Sequence, residues 1–305
     1  MNDNLAISVR GLTKSFGDQR AVDDLSFDLA RGTVTGFVGP NGAGKSTTIR
    51  MLLGLIQPSA GTASVLGHSI SEPRGYLSRV GALVESPAFY PHLSGYRNLL
   101  VLTRLARLPA TRVDEVLVVV GLADRGNDSY KDYSLGMKQR LGIAAALLHD
   151  PELLILDEPT NGLDPAGIVE IRTLLRELSE RGTSVLVSSH NLSEIQAVCH
   201  GIVLIQHGRL LWSGAIDELL ASHGATLVAA PEHANDVDAL AVLVTTAGYG
   251  STTRDDRVEI RAPGSWAAEL NRQAMTAGIT LRELTMRDAS LEQTFLDLTT
   301  NGAQP

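Results

Sequence analysis

The chain carries 305 residues, 44% of them hydrophobic, with 26 basic against 34 acidic side chains and a formal charge of −8. That length accommodates one large domain plus a smaller one, or two of moderate size, with ample apolar material for packed cores. The acidic balance argues against nucleic acid as a partner, because a binder of the phosphate backbone presents a basic face, and the single Cys199 excludes an internal disulfide framework and reads as a small buried hydrophobe in a reducing compartment.

The opening MNDNLAISVR is polar, without an apolar segment of signal-peptide type, and no apolar run anywhere reaches about eighteen residues. The expectation is a cytoplasmic chain that neither crosses a membrane nor enters a secretory route by itself. Residues 5–38 read as short strands, LAISVRGLTKSF, AVDDLSFDLARG and TVTGFVG, punctuated by Gly17, Gly32 and Gly36 and forming a mostly antiparallel leading sheet. Phe16 falls after the first strand, where an aromatic either stacks on a nucleobase or packs into the core.

The short apolar strand 34–38 runs into GPNGAGKST, which fits G-x-x-x-x-G-K-[ST]. Gly39, Pro40, Asn41, Gly42, Ala43, Gly44, Lys45, Ser46 and Thr47 are therefore read as a phosphate cradle. Its bare backbone wraps a triphosphate, Lys45 reaches the outer phosphates and Ser46 the magnesium. A helical pattern with Ile49, Leu52, Leu53 and Leu55 follows and aims a helix N-terminus at the anion.

QPSAGTASVLGHSI then reads as a turn and a strand. RVGALVESPAFYPHLSGYRNLL, 79–100, holds a strand ending near Val84 and a proline-rich loop carrying Glu85. Helical patterns fill 94–107 and 111–121. In KDYSLGMKQRLGIAAALL, 131–148, Ser134 and Gly136 stand where a helix begins, with Leu141, Ala144, Ala145 and Leu148 as its apolar stripe. That helix start is exposed enough to receive an anion from elsewhere.

PELLILDEPTNGLDP, 151–165, is an apolar strand of the kind buried on both faces of a parallel sheet. It ends in Asp157 and Glu158, either two solvated charges closing a strand or a ligand-binding pair at its carboxyl end. A helix over 165–181 and the strand SVLVSSH complete a β-α-β unit ending in His190, either a functional histidine or a satisfied core one. The other seven histidines show no zinc-type spacing. A further helix and a hairpin turning at His207-Gly208 follow. From about Asp217 the composition shifts, and 221–305 alternates strands (TLVAA, RVEIRA, ITLREL) with helices (DVDALAVLVTTAG, SWAAELNRQAMTAG) and closes on a helix over SLEQTFLDLT.

Together these pieces resemble the nucleotide-binding subunit of ATP-binding cassette (ABC) transporters over residues 5–217. GPNGAGKST is similar to the family's Walker A, LLILDEP to its Walker B, YSLGMKQR to its signature, NGLDP to its D-loop and His190 to its switch histidine. The resemblance implies an α/β P-loop NTPase: a RecA-like core with an antiparallel β-sheet, an inserted helical subdomain over about 86–149 within a domain 1–217, and a small α/β accessory domain, 218–305. It implies ATP hydrolysis with Mg2+ held by Ser46, Asp157 and Glu85, catalysis by Lys45, Glu158 and His190, Phe16 on the adenine, and Asp164, Ser134 and Gly136 at nucleotide across a head-to-tail dimer of identical copies. Leu135 stands where the signature has its first glycine and Met137 where it has glutamine, while Ser134 and Gly136 keep the positions that touch phosphate. Glu85 replaces the usual glutamine; it can accept from metal-held water but cannot donate unless protonated.

The wording around Glu85 and YSLGMKQRLGIA looks like the subgroup exporting peptide antibiotics such as bacitracin and lantibiotics. The expected partner is a separate integral membrane permease, with the chain peripheral on the inner face of the membrane and no nucleic acid bound. A soluble cassette acting on DNA or ribosomes and a nucleotide binder without turnover are the competing readings. The first lacks the fused second cassette or long heptads of such proteins, and Glu158 argues against the second.

Overall fold

The computed structural model describes residues 4–84, 88–224, 226–287 and 290–301. They divide into two compact units, one running to Ile216 and the other from Asp217.

The first unit opens on β1 (Leu5–Phe16) and β2 (Gln19–Ala30), paired antiparallel across a turn at Gly17, whose φ of 57° suits glycine. β3 (Val34–Val38) leads through the glycine loop into α1 (Lys45–Leu52). β4 (Ala60–Val65) returns to β1 and the short β5 (His68–Ser69) joins it, giving a four-stranded sheet of order β2-β1-β4-β5. Between β6 (Val80–Leu83) and β7 (Leu153–Asp157) come the helices α2 (Gly95–Leu105), α3 (Thr111–Val119) and α4 (Leu135–Leu147). Strand and helix then alternate: α5 (Pro165–Glu180), β8 (Ser184–Ser189), α6 (Leu192–Val198), β9 (Gly201–Gln206) and β10 (Arg209–Ala215). The second sheet runs β10-β9-β3-β8-β7-β6, parallel except at the β9–β10 hairpin.

One expectation is corrected here. The segment TVTGFVG leaves the antiparallel sheet and, as β3, sits between β8 and β9 of the parallel one. All five of its residues are buried, as a strand covered on both faces requires. Gly36 is accordingly no punctuation: a Cβ there would lie 2.5 Å from Ile195 Cγ2, so the glycine lets α6 approach the sheet.

Phe37, Leu153, Ile155, Leu186 and Val203 share one core with Ile7, Val9, Leu25 and Phe27 of the antiparallel sheet and Ile49 and Leu52 of α1. The alternate residues Leu154, Leu156, Val185 and Val187 are buried as well. Tyr76 seals the α1 end, donating 2.7 Å to the Leu52 carbonyl, and burial pushes its phenol up to about 12. The carboxyl ends of β3, β7 and β8 point the same way, so the turns that follow them meet at one edge.

α7 (Ile216–His223) spans the change of unit. The second unit runs β11 (Thr226–Pro231), α8 (Val237–Thr246), β12 (Gly250–Arg254), β13 (Arg257–Arg261), α9 (Ala267–Thr276) and β14 (Leu281–Arg287), then α10 (Leu291–Asn301). Its sheet order, β12-β13-β11-β14, all antiparallel, is that of a split β-α-β fold. Leu227, Leu240, Val258, Ile260 and Leu270 form its core. β12 escapes sequence reading because GSTTR has no apolar alternation; it is a polar edge strand.

Glu152, just ahead of β7, accepts from Arg79 Nη2 at 2.7 Å and from Arg31 at 2.9 Å, and these guanidinium partners, Arg79 first, hold its carboxyl at about 2 instead of the usual 4.5. A depressed folded-state value stabilises above the unfolded one and is lost as pH falls through it. In urea titrations across pH 2–6, Glu152→Gln is expected to be less stable than the parent above about pH 4.5, and that gap to close as pH falls toward 2.

Candidate functional site

The loop after β3 turns through Gly42 and Gly44, at φ 81° and 102°, conformations open to glycine. Backbone packs on backbone around it. A Cβ at Gly44 would lie 2.6 Å from the Ala21 carbonyl oxygen, and one at Gly208 would lie 2.8 Å from the same atom. The Gly208 amide donates to the Ala43 carbonyl at 3.1 Å and the Asp23 amide to the Gly208 carbonyl at 2.8 Å. The His207-Gly208 turn thus braces the glycine loop against β2. Arg20 and Arg209 both pair with Asp23 at 2.7 Å and stitch the same corner. The first amides of α1 lack intrahelical acceptors and form an anion-binding terminus.

Lys45 is buried, its Nζ 2.6 Å from the Gly39 carbonyl and 3.2 Å from Glu158 Oε1. The other carboxylate oxygen of Glu158 lies 2.8 Å from His190 Nδ1. Glu158 holds this place on a left-handed backbone, φ 50°, unusual for a side chain of its size. Ser188 supports the turn from the neighbouring strand. Its hydroxyl accepts from the Glu158 amide at 2.9 Å and donates to Asp157 Oδ1 at 2.5 Å, a pairing fixed by the register Asp157↔Ser188.

Glu158 and His190 line a cleft of about 710 Å³ together with Phe16, Gln19, Arg20, Ala21, Pro40 to Thr47 (Lys45 among them), Asn161 and His207. Phe16 is 52% exposed, so it is no core aromatic, and Lys14 Nζ sits 5.1 Å from its ring centre. His190 likewise stands with half its side chain in solvent. Gly39 and Asp157 are buried and do not line the cleft. Glu85 lies outside the described residues.

Ser134, Gly136 and Asp164 are not brought to this cleft. Ser134 caps α4, accepting from the Met137 amide at 3.2 Å, and Asp164 caps α5, accepting from Gly167 at 2.9 Å. Tyr133 seats the start of α4 by donating to the Arg125 carbonyl at 2.8 Å, over a Gly95 with no room for a Cβ. Leu135 fills the space beside Gly162, where a Cβ would come within 3.0 Å of it. Sequence reasoning missed Ser188, Arg20 and His207; a serine opposite the Asp157 strand end was the available signal for the first.

A parallel sheet with a glycine loop, a lysine, two carboxylates and a histidine at its carboxyl edge defines a P-loop nucleoside triphosphatase. Residues 22–161 match the ABC transporter family. The chain is 39% identical to the bacitracin transport ATP-binding protein BcrA of Bacillus licheniformis over 97% of this chain and 98% of that one. It is 50% identical to the uncharacterized ABC transporter ATP-binding protein YhcH of Bacillus subtilis (strain 168), over 67% of this chain and 68% of the other. Among solved structures it is similar to cbiO1 from Clostridium perfringens, part of the ABC transporter complex cbiONQ, with 28% identity, a TM-score of 0.65, and coverage of 72% and 91%. The chain belongs to the ABC transporter family as an ATP-binding subunit, an ATPase coupled to transport. No helix among the described residues is long and apolar enough to cross a membrane.

Because Gly208 (φ 78°) presses on the Ala21 carbonyl and holds the cradle through Ala43, Gly208→Ala is expected to weaken ATP binding about tenfold, roughly 1.4 kcal/mol, in an equilibrium titration.

Proposed function

We propose that the chain is the motor of an exporter, binding ATP at the glycine loop and hydrolysing it with Glu158 to drive a separate membrane permease. The observation that carries this reading is the convergence of Lys45 and His190 on the two oxygens of Glu158, beside the glycine loop.

A triphosphate in the cradle offers Lys45 Nζ new acceptors in place of Glu158 Oε1. The carboxylate, still held by His190, then turns to the attacking water, orients it and accepts its proton. His190 contacts the γ-phosphate through its exposed ring. Phe16, on the lip of the cleft, offers its face to the adenine. Ser46 and Asp157 would hold Mg2+, with Glu85 on a metal-held water. Among the described residues no three His, Cys, Asp or Glu side chains gather to hold a metal unaided, which suits a cation completed by phosphate oxygens and water. When bound, magnesium neutralises charge developing on the phosphate oxygens.

The capped start of α4, away from this cleft, is the surface that Ser134 and Gly136 present to the nucleotide of a second, identical copy. Asp164 lies at the same junction, and ATP closes the dimer that hydrolysis releases. The domains in this reading are 1–217, with its helical part at about 86–149, and an accessory domain at 218–305. The cargo in this reading is a peptide antibiotic, lipid or other amphiphile, the first of which likeness to a bacitracin transport ATP-binding protein supports, and the chain sits on the inner face of the membrane.

Glu158→Gln is expected to bind ATP with unchanged affinity, to accumulate as an ATP-bound dimer in size-exclusion chromatography, and to lose at least about a hundredfold in turnover. Unchanged hydrolysis removes Glu158 from its role. The parent chain is expected to co-purify with an integral membrane protein, and its absence from every membrane complex defeats the transport assignment.

A further inference from the structure

Glu158 and His190 stand on separate turns, at the ends of the neighbouring strands β7 and β8, and pair across them at 2.8 Å. Ser188 secures only the backbone entering the first turn, through the Glu158 amide. The backbone leaving it runs to Thr160, whose hydroxyl donates 2.6 Å to Glu194 Oε2 in a part-buried contact. The other oxygen of Glu194 accepts from Asn191 Nδ2 at 3.0 Å. Asn191 directly follows His190, and its own side-chain oxygen caps α6 by accepting from the Ser193 amide at 3.1 Å. One carboxylate therefore ties together the residue two places after Glu158 and the residue next to His190.

We infer that Glu194 is a positioning residue for hydrolysis, a bridge holding the Glu158 turn and the His190 turn in register. It lines no part of the nucleotide cleft, so its loss leaves the cradle intact. Without it, the Glu158 turn keeps the Ser188 anchor and loses the Thr160 one. An ångström of misplacement at the reacting groups is worth on the order of a hundredfold in rate. The bridge needs acceptors and geometry more than charge. In Glu194→Gln the amide oxygen accepts from Asn191 while the amide nitrogen donates to the Thr160 hydroxyl, so both links survive. The inference rests on the roles proposed above for Glu158 and His190.

The test measures steady-state ATP hydrolysis and, separately, equilibrium ATP binding, on the full chain carrying Glu194→Ala, Glu194→Gln, Thr160→Val and the Glu194→Ala/Thr160→Val pair, with thermal unfolding as a check on the fold. Glu194→Ala is expected to lower kcat by about 10- to 100-fold with the Kd for ATP within about twofold, and Glu194→Gln to stay within about threefold of the parent. Thr160→Val is expected to match Glu194→Ala, and the pair to be no worse than either single change, as for two ends of one link. A normal kcat in Glu194→Ala, a loss confined to ATP affinity, a glutamine variant as slow as the alanine one, or losses that multiply in the pair overturns the bridge. Glu158→Gln run in parallel separates the two readings. If it still hydrolyses, the role of Glu158 falls and the reason for the bridge with it; if it is dead beside a fully active Glu194→Ala, the bridge alone falls.

Discussion

A buried ammonium needs a partner, and that requirement organises the catalytic edge of this protein. Lys45 has only 7% of its side chain exposed and meets two backbone carbonyls and one carboxylate oxygen of Glu158. Its charge ties the glycine loop to the turn after β7, two segments joined by no backbone ladder because β8 lies between their strands. The site is thereby preorganised. In the proposed function Lys45 would exchange one acceptor for another at the phosphate, and neither it nor Glu158 would have to be carried in from solvent.

The glycine loop, Lys45 and Glu158, which the fold brings to one cleft, were legible in the sequence because motif and context coincide within short windows. GPNGAGKST sits between an apolar strand and a helical pattern, and LLILDEP is an apolar run with carboxylates at its end. What supports them was not legible. Ser188 reaches Asp157 and the Glu158 amide only through the parallel register of β7 with β8, which no local pattern announces. Glu194 on α6 looks like an ordinary first-turn acid until Thr160 is folded against it. The misassigned β3 teaches the same lesson from the other side: a five-residue apolar strand does not say which sheet it joins. Gly36 reads as a breaker in a list of residues and proves to be the place where α6 touches the sheet.

The two units differ in how their turns are used. In the first, turns at the carboxyl ends of parallel strands carry the chemistry, as open α/β sheets favour. In the second, antiparallel strands joined by hairpin and crossover leave no such shared edge, and the turn between β12 and β13 is a short polar one at Asp255, with φ 52°. That contrast gives the two halves of the chain separate structural logic, one built around a ligand and one around its own core.

The left-handed backbone at Glu158 carries a further implication. Residues of its size avoid that region at an expense of about 1–3 kcal/mol, which the surrounding hydrogen bonds must offset. A glycine there would relax the turn, but it would also leave the buried Lys45 ammonium without its carboxylate partner, a larger loss than the strain it removes. The strained turn is therefore kept in place by the charge it presents, and a screen that rewards heat resistance alone has no easy gain to find at this residue.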